Sequence, residues 1–132
     1  MDTGTVYLVE DNEEVGRMYE RAFRLRGHKV ERATDGRKAL QQLISSLVVP
    51  AVIILDVAMP SMNGFDVLVA IRAISKLASV PIAILTNSIH TEEEGRFLKA
   101  GASLFLVKIE NQSKQVVEKI EALMLKTGTT GT

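Results

Sequence analysis

The chain alternates two periodicities from end to end, and this alternation restricts its possible folds more than any other feature. β-prone runs at 5–9, 28–33, 51–55, 81–85 and 103–107 each precede a segment that reads as a helix, at 13–26, 36–48, 64–74, 91–101 and 113–125. The expected inner faces are Val15, Met18, Ala22 and Leu25 in the first helix, with Gly27 just past its end, and Leu40, Leu43, Ile44 and Leu47 in the second, which Pro50 stops. Val67, Leu68 and Ile71 fill that role in the third, and Val116, Val117, Ile120, Leu123 and Met124 in the fifth. Parallel neighbours need a crossover connection, so five βα units in succession imply a parallel sheet with helices on both faces. The runs at 5–9, 51–55 and 81–85 are apolar throughout, as central strands covered on both sides should be, whereas 28–33 is polar enough for an edge.

Composition narrows the function. Hydrophobic residues at 46% and charged residues at 24% describe an ordinary globular domain of 132 residues. Sixteen basic residues balance sixteen acidic ones, so no global field recruits nucleic acid or an anionic membrane. With no cysteine, disulfides and thiolate metal sites are excluded and a reducing compartment fits. The N-terminal segment has no signal-peptide pattern and the longest apolar stretch, 47–55, is too short to span a bilayer. A cytoplasmic domain over residues 1–125 is expected, with 126–132 as a flexible tail or the start of a linker.

Ligands of open parallel sheets bind beyond the carboxyl ends of the strands. There the sequence places Glu10, Asp11 and Asn12 after the first strand, Asp56 after the third, Thr86 after the fourth and Lys108 after the fifth. Each has a plain alternative: Asp11 or Asn12 as a helix cap, Asp56 as a turn former, Thr86 as a cap, Lys108 as a solvated lysine. Coincidence at four separate strand ends is the weaker account. Clustered carboxylates repel, so the rim suits a hard divalent cation, and oxygen-only ligands favour Mg2+. A phosphoryl group bridging Mg2+, Thr86 and Lys108 would have its charge neutralised, and Asp56 would be its nucleophile.

These residues carry a family resemblance. The acidic pair in "LVEDN", the block "ILDVAMPSMNGFDVL", the segment "ILTNS" and the run "GASLFLVK" make the chain, from Val6 to Leu125, resemble a response-regulator receiver domain of two-component signalling. The resemblance implies a flavodoxin-like (βα)5 three-layer sandwich with sheet order 2-1-3-4-5. It implies Asp56 as phosphoacceptor and Mg2+ held by Asp11, by Glu10 mainly through water, by Asp56 and by the carbonyl of Ala58. Thr86 and Lys108 would hold the phosphoryl group. Thr86 and Phe105 would switch together, although Phe105 also reads as an ordinary strand aromatic, and the face spanning 90–125, α4-β5-α5, would signal to an unknown downstream protein. A histidine kinase or histidine phosphotransfer protein would supply the phosphoryl group. No nucleic acid or membrane partner is implied for this domain, which would be a monomer or a phosphorylation-dependent dimer that catalyses only its own phosphorylation and dephosphorylation.

Two positions depart from the family pattern. Ile109 stands where a proline, often cis, usually follows the lysine; a cis bond before a non-proline residue costs about 3 kcal/mol, so a trans bond is expected. Asn87 replaces a commonly smaller residue and narrows access to Asp56. Both leave open a second function, a receiver fold that docks a partner without phosphate. An aspartyl phosphatase would want a carboxylate where Ala58 stands, and a flavin site would not place five consecutive polar residues, Glu10 to Glu14, four of them acidic, where a phosphate must bind. Pro60 and Gly64 are expected to shape the loop after Asp56, and Met59 and Met62 to pack.

Overall fold

The structure, a computed structural model, describes residues 4–47, 49–57, 62–87, 91–108 and 111–128. Five strands, β1 (Thr5–Val9), β2 (Lys29–Ala33), β3 (Val52–Asp56), β4 (Ile82–Thr86) and β5 (Leu104–Val107), alternate with five helices, α1 (Glu13–Leu25), α2 (Gly36–Ser45), α3 (Gly64–Arg72), α4 (Thr91–Lys99) and α5 (Ser113–Gly128). The strands form one parallel sheet in the order β2-β1-β3-β4-β5, as expected.

Side chains alternate across the pleat and so build two cores. Tyr7, Val9, Ile53, Leu55, Ile82 and Ile84 pack with α2, α3 and Phe97 of α4 on one face. Val6, Leu8, Val52, Ile54, Ala83, Leu85 and Leu106 pack with α1 and α5 on the other. β3 and β4 are buried at every position, β2 at only two of its five. That is the difference between centre and edge that their sequences announce.

Helix ends follow local chemistry. Asn12 caps α1, its Oδ1 accepting from the Val15 N–H at 2.9 Å, which leaves Asp11 out of the cap. At the other end Gly27 has φ +90°, and the N–H groups of Gly27 and His28 bond the carbonyls of Arg24 and Phe23, a Schellman closure. Gly101 ends α4 in the same way, at φ +116°.

The structure corrects the inner faces of two helices. In α1 the buried residues are Gly16, Tyr19 and Phe23, while Met18 and Leu25 are exposed. In α2, Leu43 and Ala39 are buried but Ile44 is exposed, and Leu47 lies wholly in solvent beyond the helix. α2 stops at Ser45, the backbone turning extended at Ser46, and Lys76 donates to the carbonyls of Ile44 and Ser46; the Ser46 carbonyl has no helical donor ahead of it, because residue 50 is proline. α5 runs three residues past its expected end, to Gly128. Among the described residues no helix is long and apolar enough to cross a membrane.

Candidate functional site

The pleat that builds the cores also builds the site. Glu10 follows Val6 and Leu8 in phase, Asp56 follows Val52 and Ile54, and Lys108 follows Leu104 and Leu106, so all three side chains leave the sheet toward α1 and α5. Asp56 is the last residue of β3 and Thr86 the last of β4, each one position later than the sequence suggests, so both are held by the sheet itself. Thr86 has the opposite phase and leaves the sheet with Ile82 and Ile84.

Lys108 donates from Nζ to Glu10 Oε1 at 3.0 Å and to Asp56 Oδ1 at 3.5 Å. Glu10 is 1% exposed, Asp56 7% and Thr86 4%. Burial opposes the charge on Lys108, but Asp56, then Glu10, with a smaller effect from Tyr19, outweigh it and hold its pKa above the ordinary lysine value. Glu10 Oε2 also accepts from the Asn12 N–H at 3.3 Å, and the Glu10 N–H bonds the Ala33 carbonyl at 3.1 Å.

Oxygens of Glu10, Asp11 and Asp56 all lie within 4.8 Å of one another. Three carboxylates this close, with no nitrogen or sulfur donor among them, fit a hard divalent cation. They line an open cleft of about 640 Å³ together with Asn12, Val15, Val57, Thr86, Asn87 and Lys108. Asn87 and Lys108 also border an adjoining groove between α1 and the start of α5, lined by Met18, Tyr19, Asn111 and Gln115 among others.

Gly64 sets the floor behind Asp56. A Cβ there would lie 2.7 Å from the Asp56 carbonyl oxygen and 2.7 Å from Val57 Cα, and the Gly64 N–H bonds the Val57 carbonyl at 2.8 Å. The requirement is for close approach of backbone, since its φ is not positive. Phe105 is half-buried on the Thr86 side of the sheet, opposite Ile84 and so two residues back in register, and its ring stands 5.7 Å from that of Phe97, which is 5.3 Å from Phe65. Met62 packs partly buried against the same core. Ala58, Met59, Pro60 and Ile109 lie outside the described residues.

Three participants escape a reading of the sequence. Arg32 of β2 donates to the Glu10 carbonyl at 3.1 Å and to Glu20 at 2.6 Å, bracing the backbone of the acidic pair. Tyr19 is buried beneath α1; its phenol pKa is raised by burial first, with Lys108 opposing and Glu10 and Asp56 adding to the shift. Asn111, 9% exposed, closes the turn that carries Lys108. Only its position three residues after the lysine could have drawn attention to it.

Known proteins share this fold. The response regulator receiver domain family matches residues 6–121. The transcriptional regulatory protein PrrA of Mycobacterium tuberculosis is 34% identical over 136 residues, an alignment covering all of this chain and 56% of PrrA. The chain thus spans about half the length of the curated relatives it matches. Among solved structures, the phosphorylated cyanobacterial phytochrome response regulator RcpA superposes with a TM-score of 0.82 at 28% identity, covering 96% of each chain. The Mn2+-bound form of response regulator Rcp1 gives 0.80 at 26% identity, covering 96% of this chain and 97% of that one. Fold, strand-end residues and family match agree: the chain belongs to the response-regulator receiver domains of two-component signalling.

Proposed function

We propose that this receiver domain accepts a phosphoryl group on Asp56 from a phosphohistidine of a histidine kinase or phosphotransfer protein. One observation carries the reading: a lysine ammonium stands between two buried carboxylates at the ends of adjacent strands, in a cleft with a buried threonine, and an oxygen of a third acid lies within 4.8 Å of those carboxylates. An Asp56 oxygen attacks phosphorus in line; the P–N bond breaks, and its electron pair leaves with the imidazole, which takes up a proton. Lys108, already aimed at Asp56, turns to an oxygen of the incoming group, and the Thr86 hydroxyl donates to another. Glu10, Asp11 and Asp56, with the Ala58 carbonyl, would hold Mg2+, which supplies positive charge to the transferring oxygens; the Mn2+-bound relative supports that assignment. The groove between α1 and the start of α5 opens beside Asp56 and is where the donor protein would approach.

The phosphoryl group would draw Thr86 toward it, vacating space on its side of the sheet into which Phe105 packs. The Phe105–Phe97 contact joins β5 to α4 and would carry that shift to the α4-β5-α5 face and so to a downstream protein. A cytoplasmic setting fits this chemistry. The alternative reading, a docking module that works without phosphate, rests on Ile109 in place of a proline and on Asn87, whose exposed side chain lines the cleft beside Asp56. Intact mass after incubation with acetyl phosphate and Mg2+ separates the two. A phosphate-sized gain lost in Asp56→Ala and in EDTA supports the phosphoacceptor; no gain, together with no beryllofluoride binding, supports the docking module.

A further inference from the structure

Lys108 lies just beyond β5 and reaches inward between Glu10 and Asp56, so its usefulness depends on where its backbone is held. Residue 109 is isoleucine, so no proline ring fixes φ after the lysine. Asn111 supplies the hold. Its Nδ2 donates to the Val107 carbonyl at 2.9 Å and its backbone N–H to the Lys108 carbonyl at 3.2 Å, so one buried residue grips both peptide groups that flank the Lys108 Cα. Its Oδ1 accepts from Lys119 Nζ of α5 at 2.6 Å. An ammonium can only donate and a carbonyl can only accept, so these two partners fix which way the amide faces.

A helix cap would be the ordinary role for an asparagine here, and the geometry excludes it. The first turn of α5 is closed by its own residues: Gln115 Oε1 accepts from the Gln112 N–H at 2.7 Å, and the Val116 N–H bonds the Gln112 carbonyl at 3.0 Å. Asn111 donates toward the strand and accepts from the second turn of the helix. α5 in turn is anchored to the sheet by Val116, Val117 and Ile120.

We propose that Asn111, braced by Lys119, is a positioning residue that sets Lys108 for phosphoryl transfer and ties it to α5; this rests on the phosphoacceptor reading of Asp56. The test follows labelling by acetyl phosphate in Mg2+ by intact mass, over hours for slow variants. Asn111→Ala and Asn111→Asp should each lower the maximal rate fivefold or more, with half-saturating acetyl phosphate unchanged. The aspartate keeps the shape and the Lys119 partner but sets a carboxylate against the Val107 carbonyl, so wild-type speed in it overturns the proposal. In a Lys108→Met background Asn111→Ala should cost nothing further, because its effect passes through that lysine; an undiminished fivefold loss there would mean a merely structural role. Lys119→Met, at the surface, guards against variants that fail to fold. It should slow labelling two- to threefold and speed amide exchange at Asn111 severalfold. If wild type takes up no phosphate, the phosphoacceptor reading is what fails; the clamp then stands or falls on that exchange, and unchanged protection in Lys119→Met rejects it.

Discussion

Arg32 occupies the space that a side chain at residue 16 would need. A Cβ on Gly16 would stand 2.6 Å from Arg32 Nη1 and 2.9 Å from its Cδ. The arginine cannot swing away cheaply, because Glu13, Glu20 and the Glu10 carbonyl hold it; burial opposes its charge, yet those two glutamates outweigh burial and raise its pKa. Alanine at a helical glycine ordinarily gains about 1 kcal/mol. Here the displaced charged hydrogen bonds, worth about 1.5–3 kcal/mol, should reverse the sign. Gly16→Ala is expected to destabilise by about 1 kcal/mol in urea unfolding, and to stabilise by about 1 kcal/mol when Arg32→Ala is already present. Stabilisation in both backgrounds would show that Arg32 relaxes freely.

Gly64 is constrained from a different direction, since its neighbours are backbone and cannot rotate aside. Gly64→Ala pushes against the Asp56 carbonyl and Val57 Cα, and overpacking of this kind costs about 1–3 kcal/mol. The strain falls on Asp56, the proposed phosphoacceptor. Urea midpoints should drop accordingly and the amide resonances of Asp56 and Val57 should shift; a variant with wild-type stability and an unmoved Asp56 amide would refute the close-approach account.

The strand ends were legible because two local signals coincide there: an apolar run, whose pleat fixes the facing of every residue, and a polar residue that breaks it. Glu10, Asp56, Thr86 and Lys108 could be placed on one rim from that alone. The inner face of α1 could not. Val15, Met18, Ala22 and Leu25 have helical spacing as good as that of Gly16, Tyr19 and Phe23, and only Arg32, brought in from β2, explains why a glycine faces inward. Likewise Lys76, more than thirty residues on, meets the carbonyls at the end of α2. The Asn111 clamp depends on α5 lying against β5, a tertiary fact with no local signature.

Glu121 of α5 joins α1 to the start of β2 and should make stability depend on acid. Arg26 donates to it through Nη2 at 2.7 Å and Nε at 3.2 Å, and His28 Nε2 lies 2.7 Å away. The Arg26 hydrogen bonds, against partial burial and with help from His28, lower the Glu121 pKa below the ordinary 4.5. A depressed folded-state pKa means the stabilisation is complete above the ordinary value and is lost as pH falls through the folded one. Arg26 is 57% exposed, so solvent screening keeps the gain near the low end for charged hydrogen bonds. Glu121→Gln should cost about 1 kcal/mol at pH 7, and the gap to wild type should close by about pH 2.5. A gap unchanged across that range in urea titrations would assign the loss to packing.

Divalent cation should stabilise the fold through the acids that Lys108 now balances. A ligand at ten times its dissociation constant adds RT ln 11, about 1.4 kcal/mol, which for a chain of this size raises Tm by about 3–5 °C. Asp56→Asn removes one charged ligand and should cut most of that increment. Lys108→Met acts in the opposite sense: with the ammonium gone, Glu10, Asp11 and Asp56 repel one another, so the metal-free protein melts lower and the rise with Mg2+ grows larger than in wild type. Thermal melts of the three proteins across a Mg2+ titration read all of this at once. Equal increments in wild type and Asp56→Asn would remove Asp56 from the cation site, and a smaller increment in Lys108→Met would show that the lysine helps to build the site more than it competes with the cation for it.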